Sequence, residues 1–427
     1  MSCPDDSVRG SVAMMGTRPL VSVVIPTHNR KAQLHRALTA LTAQTFPLQD
    51  MEVLVVCDGC TDGTIEMFRH YGTPFALRVI RQAVQGPAEA RNRGAAHAAG
   101  RLLLFLDDDI EPSPSLVESH SRAHGENSGR VVIGYLPPVV PSGRIDFFQI
   151  GLRNWWEGKF YAMRQPGYRF TYSDLLGGNF SLEAELFALV GGFDPSFRTR
   201  EDYEFGMRLI KAGVDFFFAV DALGYHHDLT DLNRSLIRKY DEGKADVLMA
   251  KRHPELRPLL PLSCPRSFSF PGRIARALVF DWPPAGHVMI PALRQALRFL
   301  EWTRMRGLWG RLHRGLCAYW YWRGVAEISG SRSAGFRQKG SGCSPEEDSA
   351  IDIDLGEGLE AAEKKLDLER PPSVRIRLGG QFVGAIPSQP GAEPLRGAHL
   401  RPILLTKLSK RMLIALAMED VFDTSFA

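Results

Sequence analysis

The chain contains the segment Arg101-Leu-Leu-Leu-Phe-Leu-Asp-Asp-Asp109, from which its architecture is most directly inferred. The apolar run 102–106 predicts a buried strand, and the three acids lie where that strand ends. Like charges this close repel one another, so such a cluster is typical of a site where a divalent cation and a phosphate group neutralise it. The alternative is a solvated turn with acidic residues.

The segments before this run alternate between strand and helix patterns. Runs rich in β-branched and apolar residues predict strands, whereas apolar residues three and four positions apart predict helices, as for Leu34, Leu38 and Leu41. Such alternation predicts an α/β fold with a mostly parallel, Rossmann-like sheet. The predicted strands are 20–25, 51–56, 75–81 and 102–106, and the predicted helices are 31–44, 64–71 and 87–99.

Four polar segments adjoin these strands, which makes the solvated turn the weaker interpretation of the acidic cluster. Ligands of open α/β sheets bind at the carboxyl ends of the strands, so the segments are expected to meet at one edge. Asp58 can accept the imide N–H of a uracil, and the helix that starts after Gly86 offers its positive dipole end to phosphate. The segments are 26–30, 58–64, 86–94 and 107–109.

Composition limits the classes of protein to which the chain can belong. Its 427 residues predict two to three domains, and 44% hydrophobic with 23% charged residues are typical of a soluble globular protein. The balance of 52 basic and 48 acidic residues is too mild to indicate nucleic acid. No run approaches the ~18 apolar residues of a membrane-spanning helix. Residues 1–18 lack a signal-peptide pattern, and six scattered cysteines favour a reducing cytoplasm.

The region 130–230 has a looser pattern, and residues 231–262 follow with a helical one. Together they predict strands at 131–133 and 216–220 and helices at 182–190, 203–212 and 231–262, with a proline-rich break at 254–265. An aromatic cluster precedes most of these segments and allows two interpretations, a packed core or the wall of an acceptor cleft. Its members are Trp155, Trp156, Phe160 and Tyr161.

A second helical stretch, 288–326, is rich in arginine and tryptophan and has Glu301 as its single acid. Two interpretations remain open for it. One is an amphipathic helix packed on the core, and the other is a peripheral helix on an anionic membrane surface, at the inner face of the cytoplasmic membrane. The Ser/Gly-rich chain that follows predicts a linker over 329–368.

The C-terminal residues 369–427 predict a small α+β unit. Val374-Arg-Ile-Arg-Leu378 alternates, Gly379-Gly380 turns and Gln381-Phe-Val-Gly-Ala-Ile386 returns, which is a β-hairpin pattern, and 404–418 is amphipathic. The predicted division is a catalytic domain at 18–262, a helical extension at 263–328, the linker at 329–368 and this accessory unit.

The motifs together resemble those of the inverting nucleotide-sugar glycosyltransferases of family 2, which have the GT-A nucleotide-diphospho-sugar transferase fold. The resemblance covers about residues 20–260. The matching motifs are Val21-Ser-Val-Val-Ile-Pro-Thr-His-Asn-Arg30, Val55-Val-Cys-Asp-Gly-Cys-Thr-Asp-Gly-Thr64, Ala90-Arg-Asn-Arg-Gly94, Phe105-Leu-Asp-Asp-Asp109, Gly177-Gly-Asn-Phe180, Val190-Gly-Gly-Phe-Asp194 and Arg200-Glu-Asp-Tyr-Glu204.

The resemblance implies a role for each matching residue. Asp202 would be the catalytic base, with Glu201 beside it. Mn²⁺ or Mg²⁺ would bind Asp109 with Asp107 and a histidine, His226 first and His227 second. Cys57 replaces an acid that many members carry, and this difference leaves the nucleobase of the donor open. The implied donor-nucleotide residues are Pro26, Thr27, Asn29, Arg30, Asp58, Arg91, Asp107 and Asp108, and the acceptor residues are Gly178, Asn179, Trp155 and Trp156.

The implied reaction transfers a sugar, expected to be UDP-linked, to a polysaccharide, glycolipid or cell-surface acceptor. A sugar nucleotidyltransferase of related fold is an alternative, but its glycine-rich loop follows the first strand, whereas Gly16-Thr17-Arg18 precedes it. An inert sugar- or membrane-binding module is a third hypothesis. It predicts loss of Asp109 or Asp202, and both are present.

Overall fold

The structure, a computed structural model, describes residues 8–9, 19–125, 129–139, 145–228, 230–263, 270–329 and 350–423. Predictions for Gly16-Thr17-Arg18 and for half of the predicted linker, 330–349, lie outside these ranges.

The first part of the chain forms the alternating unit that the sequence predicts. Strands β2, β3, β4 and β5 are mutually parallel in the order β4-β3-β2-β5. Every residue of β3 and β5 is buried, as in a parallel sheet covered on both faces. The elements are β1 (Val8–Arg9), β2 (Val21–Thr27), α1 (Lys31–Leu41), β3 (Met51–Asp58), α2 (Thr64–Met67), β4 (Ala76–Gln82), α3 (Pro87–His97) and β5 (Leu102–Leu106).

The second part extends the same sheet to the order β1-β4-β3-β2-β5-β8-β7-β9-β6. Strand β8 runs antiparallel to both of its neighbours, and β9 runs parallel to β7. The helix predicted at 182–190 begins later than predicted. Its first predicted residues belong to β8, in which Leu182 is fully buried. The elements are β6 (Ile110–Pro112), α4 (Leu116–His124), β7 (Arg130–Tyr135), α5 (Phe147–Met163), β8 (Asn179–Glu183), α6 (Ala184–Val190), α7 (Glu201–Lys211) and β9 (Asp215–His226).

Four helices follow and share a core with α5 and α7. The stretch predicted at 288–326 is two helices rather than one, because Arg304 adopts a left-handed conformation between them. Leu297, Leu316 and Trp322 are buried, so the inner face packs on the core. The helices are α8 (Leu232–Arg252), α9 (Phe270–Phe280), α10 (Pro283–Trp302) and α11 (Arg306–Ser329).

Two glycines bring α8 and α11 into direct backbone contact. A Cβ at Gly243 would overlap the carbonyl oxygen of Tyr321, and one at Gly324 would overlap that of Tyr240. The close approach therefore requires glycine on both helices. No helix in the described part of the chain has the length and apolarity that crossing a membrane requires.

The C-terminal unit begins earlier than predicted. Strand β10 and helix α12 occupy part of the predicted linker 329–368, because Ile353 and Leu366 are buried in the core of this unit. The predicted hairpin is present as β11 and β12, with β10 parallel to β11. The elements are β10 (Ile351–Asp354), α12 (Leu359–Glu369), β11 (Val374–Leu378), β12 (Gln381–Ile386), α13 (Gly397–Thr406) and α14 (Ser409–Asp423).

Candidate active site

A cleft of about 990 Å³ lies at the carboxyl ends of β2, β3 and β5, and its far wall is formed by α5, α7 and α11. The register of the parallel strands aligns Thr27 with Cys57, next to Asp58. Most of the predicted site residues line this one cleft. They are Pro26, Thr27, Arg30, Asp58, Arg91, Asp107, Asp108, Asp109, Trp155, Trp156, Gly178, Glu201, Asp202 and His226.

The acidic cluster after β5 is held by cationic and hydroxyl partners. Arg30 Nη1 donates to Asp108 Oδ1 at 2.9 Å and to Asp109 Oδ2 at 2.8 Å, and Thr27 Oγ1 donates to Asp108 Oδ2 at 2.7 Å. Burial and the neighbouring carboxylates nevertheless raise the pKa of Asp108 to about 7. The cleft therefore disfavours a full set of negative charges at this edge.

Arg91 links the two sides of the cleft and is almost fully buried. Its Nη2 donates to Asp107 Oδ1 and its Nη1 donates to Glu201 Oε1, each at 2.7 Å. Burial opposes ionisation of Asp107, but the Arg91 charge holds the pKa of that carboxyl below its ordinary value. Each terminal nitrogen of Arg91 donates one hydrogen bond to a carboxylate, so the two carboxylates fix the orientation of the guanidinium between the two walls.

Asp58 organises the loop between β4 and α3. Its Oδ1 accepts from Gln82 Nε2 at 2.8 Å and from the Gln85 backbone N–H at 2.7 Å, and its Oδ2 accepts from the Gly86 N–H at 2.9 Å. A carboxylate oxygen can accept two hydrogen bonds, so Oδ2 retains capacity for one more donor.

Glu201 and Asp202 begin helix α7. Asp202 Oδ2 accepts from the Gly177 N–H at 3.0 Å, and Oδ1 accepts from the Tyr203 N–H at 2.9 Å. Burial raises the pKa of Asp202 despite these bonds, and burial with the Asp202 charge raises the pKa of Glu201 to about 7. A carboxylate with a raised pKa that faces a cleft is suited to accepting a proton.

The two candidate histidines point in different directions. His226 Nε2 faces Asp109 Oδ1 at 3.7 Å, and the His226 ring packs edge-on against Trp156. His227 Nε2 instead contacts Glu111 Oε2 at 2.7 Å and does not line the cleft. Of the two predicted histidines, His226 therefore faces the acidic cluster, and His227 lies outside the cleft.

Two other predicted residues also lie away from the cleft. Asn29 is exposed, and its Oδ1 accepts from the Thr61 N–H at 2.7 Å. Asn179 is fully buried, with Nδ2 donating to the Ala222 carbonyl at 2.9 Å and Oδ1 in contact with His120 Nε2 at 2.8 Å. The Asn179 side chain thus points into the core, where it joins β8 to β9 and α4.

Several cleft residues were missed by sequence reasoning. Arg200 has a left-handed backbone and is held by Asp246 and by Glu242, whose Oε2 accepts from its Nη2 at 3.0 Å. The charged residues around Arg200 could have indicated a role for it. The partners of Arg200, however, lie on α8, which is distant in the sequence. The other missed lining residues include Phe147, Phe148, Arg198, Arg238, Lys239, Trp309 and His313.

Comparison with known proteins bears on the class to which this fold and cleft belong. The sequence model described as glycosyl transferase family 2 matches residues 22–190, and that described as the N-terminal domain of galactosyltransferase matches residues 159–229. The uncharacterized glycosyltransferase YfnE of Bacillus subtilis is 34% identical over 288 residues, which cover 56% of this chain and 71% of YfnE. The chain belongs to glycosyltransferase family 2, and its sheet is that of the GT-A fold.

Two further similarities are more limited. A validoxylamine A glucosyltransferase of Streptomyces hygroscopicus subsp. jinggangensis is 34% identical over 275 residues, 57% of this chain and 63% of that protein. The chain thus matches less than two thirds of this relative's length. The crystal structure of S. aureus TarS 1-349 in complex with UDP has 18% identity, covers 73% of this chain and 91% of that chain, and has a TM-score of 0.40.

Proposed function

We propose that the chain is a metal-dependent, inverting hexosyltransferase that moves a sugar from a nucleotide-diphosphate donor, UDP-linked, to a polysaccharide, glycolipid or cell-surface acceptor. The observation that carries the proposal is the cleft in which Asp107, Asp108 and Asp109 face Glu201 and Asp202. One side supplies oxygen ligands near a phosphate site, and the other supplies a base.

In this proposal the donor lies along β2, β3 and β5. The free capacity of Asp58 Oδ2 accepts a uracil imide N–H, and Thr27 with Arg30 orients the sugar and phosphate side. A divalent cation would be held by Asp109 and His226, whose facing oxygen and nitrogen atoms are 3.7 Å apart. Among the described residues no group of three His, Cys, Asp or Glu side chains is arranged so that it could hold a metal ion by itself, so water and donor phosphates would complete the shell.

Asp202 acts on the acceptor in this scheme. The acceptor hydroxyl lies against Gly178 and Trp155, and Asp202 takes its proton as the new glycosidic bond forms. The hydrogen bonds from Gly177 and Tyr203 hold the carboxylate still while it does so. When bound, Mn²⁺ or Mg²⁺ would neutralise charge on the leaving diphosphate. One direct displacement inverts the anomeric centre, because the acceptor attacks the face opposite the leaving group.

A panel of nucleotide sugars tests the proposal, with glucosyl donors first because relatives are named glucosyltransferases. The purified chain is incubated with each donor, with and without Mn²⁺, and release of nucleoside diphosphate is measured. Metal-dependent release from one donor supports the proposal. Release of pyrophosphate would instead indicate the nucleotidyltransferase alternative, and donor binding without any release would indicate the inert module.

Association with the inner face of the cytoplasmic membrane is part of the same proposal. Trp302 and Phe299 are 73% and 59% exposed at the end of α10, and the exposed Arg304 and Arg306 follow them in the sequence. Exposed aromatic residues beside arginines suit an anionic lipid surface. Co-sedimentation with anionic vesicles should weaken in Trp302→Ala, and vesicle binding that the double substitution Phe299→Ala with Trp302→Ala leaves unchanged would contradict the idea.

A further inference from the structure

A second cavity, of about 390 Å³, lies between α10 and the C-terminal half of α11. None of its lining residues lines the donor cleft. Three of them are arginines, Arg294 and Arg298 from α10 and Arg323 from α11, and none is acidic. The cavity is therefore a separate site with a strongly positive lining.

These arginines lack the acidic partners that the buried arginines of the cleft possess. In the part of the chain that the structure describes, Arg294, Arg298 and Arg323 form no ion pair with any carboxylate. Arg294 and Arg323 instead stack over the ring of Trp320, with guanidinium carbons 5.7 and 5.2 Å from its centroid. Three cations close together repel one another, so their convergence has a cost that an anion would remove.

Within the described ranges of the chain, two polar atoms of the cavity lining are buried without a hydrogen-bond partner. They are Arg294 Nε and Trp320 Nε1, and both are donors only. A buried donor without an acceptor has lost its hydrogen bonds to water and gained none in return, which is unfavourable. Both donors and the three guanidinium groups therefore require the same kind of ligand, one with several acceptor oxygens and negative charge.

We propose that this cavity binds a phosphate group, either free in solution or as the headgroup of an anionic lipid. A phosphate monoester matches the site better than a carboxylate, because it offers three terminal oxygens and up to two charges to several guanidinium groups. Gly286 opens the space beside Tyr319, since a Cβ there would lie 2.8 Å from the Tyr319 hydroxyl oxygen. The pocket is independent of the transfer reaction proposed above.

Binding of inorganic phosphate and of lipid vesicles to the full chain tests the proposal. The variant is Arg298→Ala with Arg323→Ala, which keeps the partly buried Arg294 in place. The matched control is Arg311→Ala, because Arg311 is an exposed arginine of α11 outside both cavities. Calorimetric titration with inorganic phosphate should show affinity reduced about tenfold or more in the double variant, and unchanged in the control. Unchanged melting temperatures in both variants exclude a folding defect.

The vesicle measurement distinguishes the two sources of phosphate. Co-sedimentation is compared for phosphatidylcholine vesicles with and without phosphatidic acid. Binding to phosphatidic acid that the double variant loses supports the headgroup, whereas a loss confined to inorganic phosphate supports a soluble ligand. If the double variant and the control bind inorganic phosphate and both kinds of vesicle as the unmodified chain does, the proposal is overturned.

Discussion

Arg91 and Glu201 form a buried ion pair, in which Arg91 Nη1 donates to Glu201 Oε1 at 2.7 Å. The same guanidinium contacts Asp107 on the opposite wall. One side chain therefore couples the strand end that carries the acidic cluster to the helix that carries Asp202. Breaking a buried pair of this kind leaves an uncompensated charge, so the two walls are expected to respond together to changes at Arg91.

Asp202→Asn is expected to lower the transfer rate by about 100- to 10,000-fold, because the amide cannot accept the acceptor's proton. The affinity for the donor nucleotide should remain, since the side-chain shape is kept. Nucleotide release and nucleotide binding are measured on the same preparation. Asp241→Asn on α8, outside the cleft, is the control. Full activity of Asp202→Asn would remove Asp202 from the mechanism.

In a plot of kcat/KM against pH, we expect the acidic limb at a higher pH than the ordinary pKa of an aspartate, which is about 4. A base works only when it is deprotonated, and the pKa of Asp202 is raised while that of Glu201 is about 7. Activity should therefore be full above these pKa values and fall as the pH drops through them.

Replacement of Arg91 tests the cause of this limb. The Arg91 charge lowers the pKa of both Glu201 and Asp202, so Arg91→Met should move the limb to higher pH. Arg93→Met, on the same helix and outside the cleft lining, should leave it in place. A limb near pH 4 that neither substitution moves would contradict the assignment.

Asp109→Ala is expected to lower metal-dependent turnover by about 100-fold or more, because a charged metal ligand is lost. Activity titrated with Mn²⁺ and Mg²⁺ measures the effect. Glu111→Ala is the matched control, because Glu111 is two residues away but contacts His227 outside the cleft. Equal metal dependence in the two variants would argue against Asp109 as a ligand.

Gly324→Ala is expected to destabilise the chain by about 1–3 kcal/mol, because a Cβ at this position overlaps the backbone of α8. Activity should fall as well, since α8 carries Glu242 and Asp246, which hold Arg200 beside Glu201. Chemical denaturation measures the stability. Gly307→Ala is the control, because a Cβ there meets no atom of the described residues within 4 Å. It should be neutral or stabilising by up to about 1 kcal/mol.

Local sequence patterns predicted the strands and the edge at which Asp58 and Asp107 would meet, whereas Asp202 was identified only through the resemblance to the family. Strand periodicity and helix periodicity are properties of neighbouring residues, so they can be recognised without the fold. The start of the C-terminal unit was missed because Ile353 and Leu366 stand among charged residues and are buried only by partners elsewhere in the chain.

Tertiary packing alone distinguished residues that the sequence left equivalent. Adjacent residues at the end of a strand point to opposite sides, so His226 reaches Asp109 while His227 reaches Glu111, and no local pattern reveals which side is the cleft. The roles of Arg91 and Arg200 depend on partners 110 and 46 residues away. The residue types at the site are therefore evident from the sequence, whereas their pairing follows from long-range contacts that form only when the sheet and the helices pack together.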